Sequence, residues 1–161
     1  MNMDSSKTNP KTIVLKNSTE IRNILSEITK SKTQICIIAS NWSFNSNPPS
    51  YYSLSWNEKL KENGQQVYTI LSDSFLGEER ELSEIYKVRF ISNLFISPST
   101  LILFEDKVLL INGIKESSGV LFKGKEISER YKQYFVLLWE SSKNGQAMEK
   151  AQEKFKNTRR R

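Results

Sequence analysis

Residues able to do chemistry are sparse in this 161-residue chain, and it contains no histidine. No Ser-His-Asp or Cys-His pair can be assembled, and no phosphohistidine can form. The commonest neutral-pH acid/base group and the commonest metal ligand are also missing. Carboxylate, Lys and Tyr chemistry remain. The single cysteine, Cys36, lies in the apolar run Gln34-Ile35-Cys36-Ile37-Ile38. One thiol makes no intrachain disulfide and no thiolate metal cluster, and its neighbours make it a buried, inert group. Glu78, Glu79 and Glu81 crowd the first turn of an expected helix over Glu78–Tyr86. The helix dipole accounts for that placement, so no metal is assigned, and no cofactor is implied.

Two further clusters have the residue types for binding. The first follows the Ile35–Ala39 run, where Asn41, Trp42, Phe44, Asn45, Tyr51 and Tyr52 stand in a loop with Asn47-Pro48-Pro49. Rings offer stacking faces and asparagines offer hydrogen bonds, and loops after central strands of α/β sheets often carry ligand sites. The second is the C-terminus. Of 24 basic and 18 acidic residues, the last 21 positions hold seven basic and two acidic ones. The body is therefore almost neutral. Lys150, Lys154, Lys156, Arg159, Arg160 and Arg161 form a segment able to track phosphates.

The elements that position these groups are legible from hydrophobic period. Thr12–Leu15 is a strand, and Asn17 opens a helix with Glu20 three residues on, as in a capping box. Ile21, Ile24, Leu25 and Ile28 give that helix one apolar stripe. Gln34–Ala39 is a continuous β-branched run, as in a central strand covered on both faces. A helix starting at Ser53 or Ser55 runs to Asn63-Gly64, and Gln66–Leu71 is the next strand. After the acidic helix come strands at Val88–Ile91, Thr100–Phe104, Val108–Ile111 and Val120–Phe122. Only Glu105-Asp106-Lys107 separates the middle two, so they form a hairpin. The best helix, Glu126–Ser142, carries Ile127, Tyr131, Tyr134, Phe135, Leu138 and Trp139 at three- and four-residue steps. Gly145 interrupts, and Gln146–Phe155 forms a short extra helix.

This order predicts an α/β fold with a single mixed β-sheet and helices on both faces. The organisation is a disordered N-terminus at 1–10, one domain at 11–142, and a basic, partly helical tail at 143–161. No apolar run approaches the roughly 20 residues of a membrane span, and the first residues lack a signal-peptide pattern. The chain is therefore expected in the cytoplasm with no membrane association.

Three segments resemble a phospholipase D-like domain: Asn57–Ser72, Val88–Ile111 and Val120–Trp139. They are similar to that family's helix-turn-strand, its motif hairpin, and its closing strand with a long helix ending in Phe-x-x-x-Trp, here Phe135 and Trp139. The resemblance covers about residues 12–142 and is greatest to the effector domain of archaeal TrmB-type transcription regulators. It implies the phospholipase D-like half-fold. The family's catalytic motif is His-x-Lys-x-x-x-x-Asp, in which His attacks phosphorus, Lys binds phosphate oxygens and Asp orients a His. With Asp106 in the Asp position, Ser99 stands for the His and Leu101 for the Lys. The resemblance thus implies a non-catalytic domain, a regulatory or ligand-sensing module linked to transcription. Its ligand, a sugar or another small polar molecule, would sit beside the hairpin.

The regulators carry a winged helix ahead of this domain. Here about ten residues precede the first strand and nothing resembles a helix-turn-helix, so DNA reading would fall to a separate subunit. The alternative is a nucleic-acid-associated accessory protein acting through its basic tail. Because the enzymes of the family place two halves face to face, a homodimer is the partner that the resemblance implies.

Overall fold

A computed structural model describes residues 9–39, 50–77, 84–92, 99–112 and 118–160, with backbone only for 50–54. Residues 1–8, most of the expected aromatic loop (40–49), the acidic stretch 78–83 and Arg161 lie outside the described residues.

Alternation of short apolar runs with amphipathic segments builds one seven-stranded sheet. The strands are β1 (Lys11–Leu15), β2 (Ile35–Ala39), β3 (Val67–Ser72), β4 (Tyr86–Ile91), β5 (Thr100–Phe104), β6 (Lys107–Asn112) and β7 (Ser118–Lys123). The helices are α1 (Ser18–Ile28), α2 (Ser50–Glu62), α3 (Lys125–Ser141) and α4 (Gly145–Arg159). The sheet order is β1-β7-β6-β5-β2-β3-β4. β2, β3 and β4 are parallel, and every other pairing is antiparallel. The sheet is therefore mixed, and β1 joins it at the edge far from β3 and β4.

Strand alternation divides the core in two. Ile35, Ile37, Val67, Leu71, Ile102 and Leu109 face one side, where Ile21, Leu25 and Ile28 of α1, Trp56 and Leu60 of α2, and Met148 of α4 cover them. Cys36, Ile38, Ile70, Leu101, Leu103 and Val108 face the other, where Phe135 and Leu138 of α3 pack. Three helices thus share one face while α3 alone serves the second.

Local chemistry explains most element ends, including those that differ from expectation. The Asn17 side chain accepts from Glu20 N at 3.0 Å, which caps α1 and contributes about 1 kcal/mol. The Glu20 carboxylate turns back to Lys16 N at 2.6 Å rather than to Asn17 N. β1 ends at Leu15, so the Lys16 amide lies beyond its ladder. α2 begins at Ser50, ahead of the serines expected to start it; Pro48-Pro49 precede it, and proline is tolerated where a helix begins. The expected helix through Tyr86 is replaced at its described end by a turn at Glu84 and Ile85 and by β4. Pairing with β3 decides this: Val67 N donates to Ile85 O at 2.8 Å. The Tyr86 hydroxyl also donates to Asn57 Oδ1 at 2.6 Å. The hairpin turn is a two-residue one, since Phe104 pairs with Lys107, and Glu105 takes a left-handed φ of 48°.

Gly145 starts a helix rather than interrupting one. Asn144 caps α4 by accepting from Ala147 N at 2.9 Å, and α4 continues to Arg159. The chain is held against the domain as it leaves α3. Phe90 N donates to Lys143 O at 2.6 Å, and Lys143 N donates to Phe90 O at 2.9 Å. This bridge covers part of the β4 edge, which limits strand addition there.

Candidate functional site

The hairpin places the motif positions far apart. Ser99 precedes β5 and its hydroxyl donates to Asn112 Oδ1 at the end of β6. Leu101 points into the α3 side of the sheet and is 5% exposed. It pairs with Ile38 and Leu110 on the neighbouring strands, and Ile38 pairs in turn with Ile70. Leu110, Leu101, Ile38 and Ile70 therefore make one apolar row across four strands. Asp106 is exposed in the hairpin turn, and its carbonyl accepts from Gly124 N at 2.8 Å. Six residues separate Ser99 from Asp106, five of them the extended strand β5, so the two stand roughly 15–20 Å apart. Asp106 is thus a turn residue, out of reach of position 99.

Of the loop residues expected to bind ligand, Asn41, Trp42, Phe44 and Asn45 lie outside the described residues. Tyr51 and Tyr52 fall in the first turn of α2, and their side chains lie outside the description as well. The basic candidates fall on α4. Lys150, Lys154, Lys156, Arg159 and Arg160 are all exposed, as is every residue from 153 to 160. Met148 anchors the first half of the helix in the core, while Phe155 is 59% exposed. The Arg159 guanidinium lies 4.7 Å from the Phe155 ring centroid.

The structure also brings together residues with no expected binding role. Two residues along from the Leu101 row, at the other end of the same strands, Leu103 pairs with Cys36 and Cys36 pairs with Tyr68. Above this row stand Lys132, Phe135, Val136 and Trp139 of α3, at the i, i+3, i+4, i+7 spacing of one helix face. A cavity of about 360 Å³ lies between row and helix, with Thr33 and Gln34 at its border. Cysteine occupies the middle of this row, where isoleucine occupies the middle of the other. The smaller side chain leaves space beneath α3.

Aromatic and cationic groups shape that space. The Trp139 ring meets Tyr68 edge-on at 5.5 Å and stacks with Phe135 at 5.8 Å. The Arg89 guanidinium lies 5.3 Å from the Trp139 ring centroid, and its Nε donates to Ser142 Oγ at 2.9 Å. The Lys132 ammonium donates to Glu105 O at 2.8 Å, which uses one of its three N–H donors. Burial pushes the Cys36 thiol up to about 11, against the opposing pull of the Lys132 charge. Cys36 is therefore a neutral thiol at physiological pH and a poor, slowly reacting nucleophile. Among the described residues, no group of His, Cys, Asp or Glu is arranged to hold a metal ion. No helix among the described residues is long and apolar enough to cross a membrane.

No family model matches the sequence, and neither does any curated protein. Solved structures do match. Nuc from Salmonella typhimurium, a phospholipase D family member, aligns with a TM-score of 0.64 at 16% identity, over 84% of this chain and 97% of its own. NucT from Helicobacter pylori aligns with a TM-score of 0.63 at 12% identity, over 84% and 99%. TrmBL2, an archaeal chromatin protein, aligns with a TM-score of 0.58 at 9% identity, over 83% of this chain. The chain spans about half of that protein, 54% of its length. At these identities the likeness is one of fold, and in fold the chain is a phospholipase D-like domain similar to TrmB-type proteins.

Proposed function

We propose that this chain is a phospholipase D-like domain without a catalytic step of its own, acting as a regulatory, ligand-sensing module in transcription regulation. The observation carrying this reading is Leu101. Phosphodiester chemistry in this fold needs an amine at that position to bind phosphate oxygens, and Leu101 is instead packed in an apolar row. Ser99, where the nucleophile would stand, is bonded to Asn112, and the chain has no histidine to activate it. The purified chain, with EDTA present, should turn over neither bis(p-nitrophenyl) phosphate nor single-stranded DNA above the buffer blank. Reproducible metal-independent turnover would overturn the proposal. Two copies pairing through the open end of the hairpin complete this reading. Light scattering at micromolar concentration should give twice the chain mass, whereas a monomer throughout points to a separate DNA-binding subunit.

The exposed basic residues of α4 favour a second reading, direct contact with nucleic acid. The DNA binding named for TrmBL2 lends it support by likeness of fold. Because Met148 belongs to the core and Lys143 to the β4 edge, the test removes residues 153–161 only. Loss of salt-sensitive duplex binding on that truncation supports the reading, and unchanged binding refutes it.

A further inference from the structure

The cavity under α3 lies at the end of the sheet opposite Ser99, and the motif resemblance gives it no role. Its floor is the cross-strand row Leu103, Cys36 and Tyr68, and neighbouring strands sit about 4.8 Å apart. The floor is therefore about 10 Å wide, the width of a fused two-ring system. Its walls present ring faces and edges from Tyr68, Phe135 and Trp139. None of the lining residues is acidic. Among the described residues, Lys132 is the one cation in the lining, with donors beyond the one given to Glu105 O. Arg89 lies by Trp139 and adds positive potential from that side. Val136, at 52% exposure, marks the solvent side. The volume of about 360 Å³ lies within the range of small-ligand sites.

From this arrangement we propose that the cavity is the sensing site, and that its ligand class is a small aromatic carboxylate, rings on the Leu103–Cys36–Tyr68 floor and carboxylate at Lys132. A neutral sugar matches it poorly, because ring faces and one cation offer few of the paired donors and acceptors that sugar hydroxyls require. A long acyl chain matches it poorly too, because the floor is only three strands wide. The inference rests on the ligand-sensing reading and names the ligand class for it.

Calorimetric titration with 1-naphthoate tests the idea, with 1-naphthamide as the neutral counterpart. Reaction of Cys36 with a thiol reagent supplies a second readout, since this is the chain's only cysteine. Saturable 1-naphthoate binding that slows Cys36 modification is the expected result. Lys132→Gln should weaken it about tenfold, the usual scale for losing one charge-assisted contact. Cys36→Leu fills the floor, and Val136→Trp narrows the exposed side without touching the core; each should reduce affinity by about thirtyfold or more. No binding, binding that leaves Cys36 equally reactive, equal affinity for 1-naphthamide, or indifference to both blocking variants overturns the assignment. These outcomes are separable from the phosphodiester assay. A chain that fails here and still lacks turnover loses this cavity assignment alone.

Discussion

Two rows of side chains cross the same strands on the same face of the sheet, two residues apart. In one, Leu101, Ile38 and Ile70 are branched aliphatics, each 5% exposed or less. In the other, Leu103, Cys36 and Tyr68 border a cavity. Backbone, register and helix cover are shared, so the difference resides in side-chain volume and ring shape. Space in this fold is set residue by residue: the row of Leu101 is closed, and the neighbouring row is open. Ligands of open α/β sheets usually bind outside the carboxyl ends of parallel strands. Here the described cavity lies at the amino ends of β2 and β3.

The largest effect should come from placing the same charge in each row. Leu101→Lys restores the residue type of the family motif but buries an unpaired ammonium, at a cost of about 3–5 kcal/mol. Leu103 is itself only 1% exposed, but it borders the cavity; a lysine there can extend its ammonium into that space and should cost about half as much or less. Urea denaturation of both variants measures this. Equal losses would mean that the two rows do not differ in solvent access.

Truncation probes the same contrast with apolar groups. Ile38→Ala leaves a void in a filled row and should cost about 2–5 kcal/mol. Cys36→Ala enlarges a space that already exists and should cost about 1 kcal/mol or less. Denaturant midpoints compared at matched slope decide it, and a Cys36→Ala loss equal to that of Ile38→Ala removes the distinction.

The Cys36 thiol gives the comparison a pH dependence. Burial holds it protonated up to about 11, whereas an unperturbed thiol titrates at 9.0. Between these values the unfolded chain binds fewer protons than the folded one. The thiol's contribution is therefore complete below pH 9 and falls as pH rises toward 11. The loss is on the order of 2 kcal/mol. The buried Tyr86 hydroxyl, also shifted upward by desolvation, adds its own alkaline loss to any variant that keeps it. The difference between the parent chain and Cys36→Ala therefore isolates the thiol. Stability measured at pH 8 and pH 10.5 should fall further in the parent, and identical falls would place Cys36 in contact with solvent.

Much of the scaffold around these rows was legible in the residues. The β-branched run at Ile35–Ala39, the polar turn closing the Thr100–Ile111 hairpin, the Asn17 cap and the α3 stripe, except Tyr134 at 40% exposure, each state a local preference that the fold keeps. The cavity was not legible, because it depends on register. Cys36 reads as one small apolar residue within its run, and Leu103 and Tyr68 read as ordinary strand positions. Only the pairings of β5 with β2 and of β2 with β3 set them side by side. Lys132 carried the one available signal, a cation on the helix face that otherwise carries Phe135, Val136 and Trp139. α4 starts at Gly145, one residue ahead of the expected Gln146, because Asn144 caps it there, and it runs past the expected Phe155 to Arg159.

The smallest effect concerns Lys132 itself, and it separates a structural role from a binding one. Its ammonium bonds the carbonyl of Glu105, the residue with left-handed backbone geometry. Holding that turn could be the whole purpose of the lysine. Yet the turn has other supports: Glu105 N donates to Thr33 Oγ1 at 2.7 Å, and Lys107 Nζ donates to the Glu105 carboxylate at 2.9 Å. With these in place, Lys132→Gln should lower stability by only about 0.5 kcal/mol, in the range of a single partly exposed polar contact. A loss several times larger would make Lys132 a turn support first. A small loss together with weakened naphthoate binding assigns the charge to the open row, the feature that distinguishes it from the closed row beside it.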